Sequence, residues 1–183
     1  MRVIGGTARG RRLKEPNGES IRPTSDMVKE SVFNIVQFDI EGRSILDLYS
    51  GTGQLGIEAL SRGARSCVFV DRDPAAIRLI WDNIKLCGFT DRATVLMRDA
   101  VSHLRGSGKF DLIFVDAPYS SDLAGKTLQK IFEFDKLNGN GIIICETRID
   151  TVMPQATPPY VMQKAYTYGK VQILRYTKIR DDL

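Results

Sequence analysis

Apolar and polar positions follow different rules on either side of Arg43. Before it, MRVIGGTARGRRLK alternates loosely around glycine-bearing turns, the pattern of a short hairpin, and PNGESIRPT is a loop by its Pro, Gly and Asn content. Thr24 or Ser25 then caps a helix expected to reach about Phe38, with Val28, Val32, Ile35 and Val36 on one face. After Arg43, short apolar runs alternate with helical periods. SILDLY reads as a buried strand, and a helix from Gln54 ends at Gly63. CVFVD is a second strand. Pro74 opens a helix whose apolar face is Ile77, Ile80, Trp81 and Ile84, and Gly88 closes it. ATVLM is a third strand, with a short helix over 100–105, and FDLIFVD is a fourth. Leu123, Leu128, Ile131 and Phe132 mark another helix, and GIIICET is a fifth strand. MPQATPP is a loop, and YVMQKAYTYGKVQILRYTK makes the last strands, joined near Gly169.

This alternation predicts an α/β fold with seven strands, mostly parallel and built from βαβ units. The last two strands have no helix between them and are expected to pair as a hairpin. The expected organisation is a basic N-terminal hairpin arm and loop over 1–23 and a single domain over 24–183. With 183 residues, one domain has room for a substantial core. No run of about 18 apolar residues predicts a membrane span, and the N-terminus has no apolar segment of signal-peptide type. Cys67, Cys87 and Cys145 sit singly in apolar segments, which suits reduced buried thiols of a cytoplasmic protein and gives no metal-ligand spacing. Net charge is +4, but residues 1–14 hold Arg2, Arg9, Arg11, Arg12 and Lys14 without an acid. Such an arm suits a phosphate backbone as well as it suits a solvated terminus.

Chemistry is expected outside the carboxyl ends of the parallel strands. There LDLYSGTGQLG carries Gly51, Gly53 and Gly56 in the G-x-G-x-x-G spacing of a nucleotide-binding turn. Asp47, Asp71, Asp99 and Asp116 stand at or just past successive strand ends. Asp71 suits the hydroxyls of a ribose, in a dinucleotide or in S-adenosylmethionine alike. Asp47 separates the two, because a carboxylate before the turn repels a pyrophosphate and favours the ammonium and sulfonium of S-adenosylmethionine. Gly51 and Gly53 let the backbone approach the methionyl portion, and Asp99 can accept from the adenine amine. The only histidine, His103, reads as structural or surface.

VDAPY, Val115 to Tyr119, ends the fourth strand. Tyr119 can stack on a planar base. The Asp116 carboxylate and the Ala117 carbonyl can accept from an exocyclic amine, localising its lone pair for attack on a methyl group held in line. Asp116 can also take the proton.

The order D-x-x-S-G-T-G, V-D, D-A-P-Y resembles class I S-adenosylmethionine-dependent methyltransferases that act on exocyclic amines. RVIGGTARGRRL, RPTSDMVKESVFNIV, LDLYSGTGQLGIEALSRGA and YTYGKVQILRY resemble, over nearly the whole chain, the bacterial 16S ribosomal RNA guanine-N2 methyltransferases of the RsmD family. The resemblance implies a Rossmann-like methyltransferase fold and cytoplasmic methylation of a guanine N2 amine in small-subunit rRNA, free or in an assembled subunit, by a monomer. It implies cofactor roles for Asp47, Tyr49, Gly51, Gly53, Asp71, Arg72, Asp99 and Ala100, and catalytic roles for Asp116, Ala117, Pro118 and Tyr119. Arg9, Arg11, Arg12, Arg22 and Thr24 become candidate RNA contacts, and no metal is expected. Ala117 stands where the family usually has proline, which removes a fixed φ but keeps the carbonyl. A methyltransferase of the same class acting on an adenine N6 amine or a protein amide, a non-catalytic RNA-binding module and a Rossmann dehydrogenase stand as alternatives. The short chain leaves no room for a large DNA-recognition domain, and nothing downstream supplies hydride-transfer chemistry.

Overall fold

The computed structural model describes residues 1–16, 26–106, 108–119 and 122–179. In it, α1 (Asp26–Ile35) precedes β1 (Ser44–Leu48), α2 (Gln54–Ser61), β2 (Ser66–Asp71), α3 (Pro74–Cys87) and β3 (Ala93–Met97). Next come α4 (Ala100–His103), β4 (Phe110–Val115), α5 (Leu123–Glu133), β5 (Leu137–Arg148), β6 (Tyr160–Tyr168) and β7 (Val171–Lys178). One seven-stranded sheet runs in the order β3-β2-β1-β4-β5-β7-β6. Strands β1 to β5 pair in parallel, and β7 lies antiparallel between β5 and β6. The expected terminal hairpin is present, and its second strand is the one that joins the parallel sheet.

Strand parity divides the core into layers. Ile45, Cys67, Phe69, Leu112, Phe114, Ile142 and Ile144 face one side, with α1, α2 and α3 packed over them. Leu46, Leu48, Val70, Ile113, Val115, Ile143 and Cys145 face the other, beneath α4 and α5. Successive side chains point to opposite faces, so a strand buried on both must be apolar almost throughout. That is why SILDL and FDLIFV read as continuous runs.

Two boundaries differ most from the sequence expectation, while α2 and α4 each stop two residues early, at Ser61 and His103. Helix α1 stops at Ile35, and Phe38, expected as its end, is 91% exposed in the following turn. Strand β5 begins at Leu137 rather than Gly141, because its first residues already pair with β4. The pairing then shifts register between Phe110 and Leu112, where Asn140 has φ 60. An irregularity of this kind hides the strand start from a period-two pattern.

The N-terminal segment is fastened to the core. A single bridge, Arg2 to Arg12, replaces a regular hairpin. Val3, Ala8 and Leu13 are buried against the α1–α3 layer. The fully buried Glu58 carboxylate accepts from the Ile4 and Gly5 amides at 2.8 and 2.7 Å and from Arg62 Nε at 2.8 Å. Asn83, also fully buried, accepts from Lys14 N at 2.7 Å and donates to the Lys14 and Thr52 carbonyls at 3.1 and 3.0 Å. Lys29 Nζ donates to the Arg2 carbonyl. Buried polar groups are tolerated when paired in this way.

Candidate active site

The acids of the site follow from parity. Asp47 shares the α2-facing side of β1 with Ile45, and Asp71 shares the same side of β2 with Cys67 and Phe69. Glu146 continues Ile142 and Ile144 on β5, and Asp116 continues Leu112 and Phe114 one residue past β4. Val115 pairs with Cys145, so Asp116 and Glu146 stand side by side on neighbouring chains. Four consecutive strands therefore carry Asp71, Asp47, Asp116 and Glu146 to one edge of one face. All four line a cavity of about 570 Å³ above the strand ends.

Glu146 was not among the sequence-derived candidates; the signal was an acid ending the apolar run IIIC. Asp99, which was, caps α4: its carboxylate accepts from Ser102 N at 2.8 Å, while the residue also lines the cavity. Tyr49, Gly51, Arg72, Ala100, Ala117, Pro118 and Tyr119 line the same cavity. Gly53 is set back from it: at φ 76 it starts α2, and a side chain there would meet Ile57 and Ile80 at 3.4 Å. Arg9, Arg11 and Arg12 are exposed away from the lining, and Arg11 donates to the Leu86 carbonyl near the end of α3. Arg22 and Thr24 lie outside the described residues. Gln54 and Arg98, which the sequence reading did not single out, also face the cavity. His103, half-buried on α4, does not line it.

The glycine turn is not built for phosphate. Phosphate cradles need backbone N–H groups aimed at the ligand, and here the three glycine amides are already engaged. Gly51 N donates to Asp71 Oδ2 at 2.9 Å, Gly53 N to the Ser50 carbonyl at 2.7 Å, and Gly56 N to Asp47 Oδ2 at 3.0 Å. Gly56 is glycine for packing: a Cβ would lie 2.3 Å from Phe69 Cε1 and 2.7 Å from Cys67 Sγ. Tyr49 holds the turn at φ 61, an uncommon conformation for a side-chain-bearing residue, with its hydroxyl 2.7 Å from Thr127 Oγ1.

The walls offer acceptors instead. Asp47 is buried, and desolvation pushes its carboxyl up to about 8, opposed by the Gly56 amide and reinforced by the Asp116 and Asp71 charges. Gln54 Oε1 is buried and has no hydrogen-bond partner among the described residues. A buried acid short of a counter-charge beside an unmet acceptor suits a cation. The ammonium and sulfonium of S-adenosylmethionine meet that requirement; a pyrophosphate does not.

Beyond β4, Tyr119 donates its hydroxyl hydrogen to Glu146 Oε1. The ring of the DAPY turn is thus tied to the neighbouring strand, a fastening that compensates in part for the φ freedom at Ala117.

The conserved hypothetical protein 95 family model matches residues 1–177. A Haemophilus influenzae protein named ribosomal RNA small subunit methyltransferase D is 33% identical over 96% of this chain and 93% of its own length. The chain belongs to that family. Another member, a Bacillus subtilis protein provisionally named rRNA methyltransferase YlbH, is 41% identical over 97% of this chain and 99% of its own. In three dimensions, an Escherichia coli protein provisionally titled methyltransferase yhhF has a TM-score of 0.88 and 28% identity, with 98% of each chain covered. An RNA methyltransferase of Salinibacter ruber, solved with S-adenosyl-L-homocysteine, shares the fold at TM-score 0.67 and 16% identity. The fold of this family member is that of class I methyltransferases, as expected from the alternation of strands and helices.

Proposed function

We propose that this protein transfers a methyl group from S-adenosylmethionine to the exocyclic N2 amine of a guanine in small-subunit ribosomal RNA. The observation that carries the reading is the row of carboxylates on one sheet edge, with spent turn amides beneath the donor side and Asp116 and Tyr119 on the acceptor side. Relatives named as small-subunit rRNA methyltransferases support the choice of RNA.

S-adenosylmethionine supplies an electrophilic methyl group on a sulfonium. Asp47 and the Gln54 carbonyl would hold its cationic tail and Asp71 and Asp99 its nucleoside, with Arg72 and Ala100 on the wall between them. The target base stacks on Tyr119, with its amine against Asp116 and the carbonyl of Ala117. Those acceptors draw the amine hydrogens to one side and turn the lone pair toward the methyl carbon. S-adenosylmethionine, when bound, would supply the methyl group, the C–N bond forming as the C–S bond breaks with its electron pair left on sulfur. The extra proton on nitrogen passes to Asp116 and then to solvent. A paired guanine must first be splayed out of its helix to reach the cavity. Among the described residues no helix is long and apolar enough to cross a membrane, which accords with work on ribosomal RNA in the cytoplasm.

Asp116→Ala is expected to lower methyl transfer at least about 100-fold, the scale of a lost acid–base or charge-stabilising group. Affinity for S-adenosylmethionine should stay within about threefold, because Asp116 serves the base and not the donor. Labelled-methyl incorporation into rRNA with mass mapping, beside a cofactor titration, checks both. Full transfer by the variant, or methyl groups mapping to an atom other than guanine N2, refutes the reading.

A further inference from the structure

Glu146 is a buried acid with no part in the donor side of the site and none in holding the N-terminal segment. It lies 6% exposed at the carboxyl end of β5, lines the cavity, and accepts from the Tyr119 hydroxyl. The β4–β5 register sets it beside Asp116, and adjacent parallel strands lie about 4.8 Å apart. The base-facing wall therefore presents neighbouring carboxylates and the Ala117 carbonyl, all acceptors.

Purine amines differ in what stands next to them. The N2 amine of guanine adjoins N1–H, so that edge offers donors in a row. The N6 amine of adenine adjoins N1, an acceptor. A wall of acceptors matches the first and opposes the second, since an acceptor facing an acceptor in a buried site leaves both unpaired. A carboxylate has about four lone-pair sites, so the Tyr119 hydroxyl and a ring N–H can be held together.

We infer that Glu146 is the residue that selects guanine, accepting a hydrogen bond from N1–H while Asp116 holds the N2 amine. The inference rests on the proposed guanine-N2 activity and assigns the base specificity within it. Its further consequence is that the bond to Tyr119 couples base recognition to the stacking ring, so a correct base both stacks and pairs with one connected unit.

The test uses 2-aminopurine, which keeps the 2-amine but has an acceptor at N1. Small-subunit rRNA is ligated around a synthetic insert carrying guanine or 2-aminopurine at the position that the wild-type protein methylates. Each RNA is offered both free and reconstituted into subunits. The wild type should prefer guanine by about 100-fold in kcat/KM. Glu146→Gln, nearly isosteric and able to donate to N1, should lose about 100-fold on guanine while changing by less than about threefold on 2-aminopurine. Tyr119→Phe removes the Tyr119–Glu146 bond and leaves the Glu146 carboxylate in place, and it should slow both substrates alike and preserve the preference. Equal losses on the two substrates in Glu146→Gln would reduce Glu146 to a support for Tyr119 and overturn the inference, as would a wild type indifferent to the two bases. A wild type that leaves guanine N2 unmethylated in every RNA form overturns the underlying activity instead, a separate and recognisable outcome.

Discussion

Asp47 concentrates the logic of the site in one side chain. Its position is fixed by parity: two residues after Ile45, it must enter the layer between β1 and α2, where it is buried. Burial raises its carboxyl to about 8, so near neutral pH the acid is largely protonated until a cation arrives. Binding S-adenosylmethionine should then expel a proton, and affinity should rise from about pH 6 to about pH 8, approaching tenfold per unit. Asp47→Asn keeps an acceptor for the Gly56 amide and should bind more weakly with little pH dependence. Calorimetric titrations at three pH values decide, and parallel pH slopes in the two proteins would exclude Asp47 as the titrating group. The stability sign is opposite. An unfolded Asp ionises near pH 4 and the folded one near 8, so Asp47 subtracts stability progressively as pH rises between those values. The asparagine variant should show the smaller loss of melting temperature across that window.

At the scale of elements, the basic N-terminal stretch is fastened to the core. Its glycines and arginines mark it as an arm, but Val3, Ala8 and Leu13 enter the core, and buried polar side chains of α2 and α3 hold its backbone. The anchors Glu58 and Asn83 lie on helices whose sequence pattern signals only amphipathicity, so nothing local indicates that their partners sit 53 to 69 residues away. Because Asn83 joins the segment to the Thr52 carbonyl of the glycine turn, it also links the segment to the cavity. Asn83→Ala leaves the buried Thr52 carbonyl and the part-buried Lys14 backbone groups without their partner and should cost about 2–3 kcal/mol. Asp82→Ala, which removes only the exposed Lys14 ion pair, should leave the urea midpoint almost unmoved. Equal shifts would mean the segment is held by its apolar contacts rather than by Asn83.

At the scale of the whole molecule, the charges around the cavity separate. Carboxylates gather at the floor of the cavity, while Arg72 and Arg98 line it and Arg9 and Arg12 stand exposed on the N-terminal segment. That arrangement suits an anionic polymer held at the surface with one neutral base admitted to the interior. Replacing Arg9 and Arg12 with Gln should weaken rRNA binding and reduce the slope of log affinity against log salt by roughly 1.5, about 0.7 to 0.9 per lost phosphate contact. Filter-binding across a salt series measures it, and an unaltered slope would remove the arm from the RNA interface. Arg11 is a less clean probe, because its guanidinium also donates to the Leu86 carbonyl and its loss should disturb the fold as well.

The sequence by itself determined the strand–helix alternation, the parallel sheet, the terminal hairpin and the strand ends where chemistry gathers. These follow from period, turn residues and apolar runs, which are local and written in order. It also marked Asp47, Asp71 and Asp116, since an acid ending an apolar strand is conspicuous along the chain. Only the tertiary structure decided that the glycine amides are spent within the turn, that Gly53 faces inward, and that Asp99 caps a helix. It alone set Glu146 beside Asp116 and Tyr119. Those facts depend on the register between strands and on which groups meet across the sheet. Both are fixed by packing among segments far apart in the chain, where no local pattern carries them.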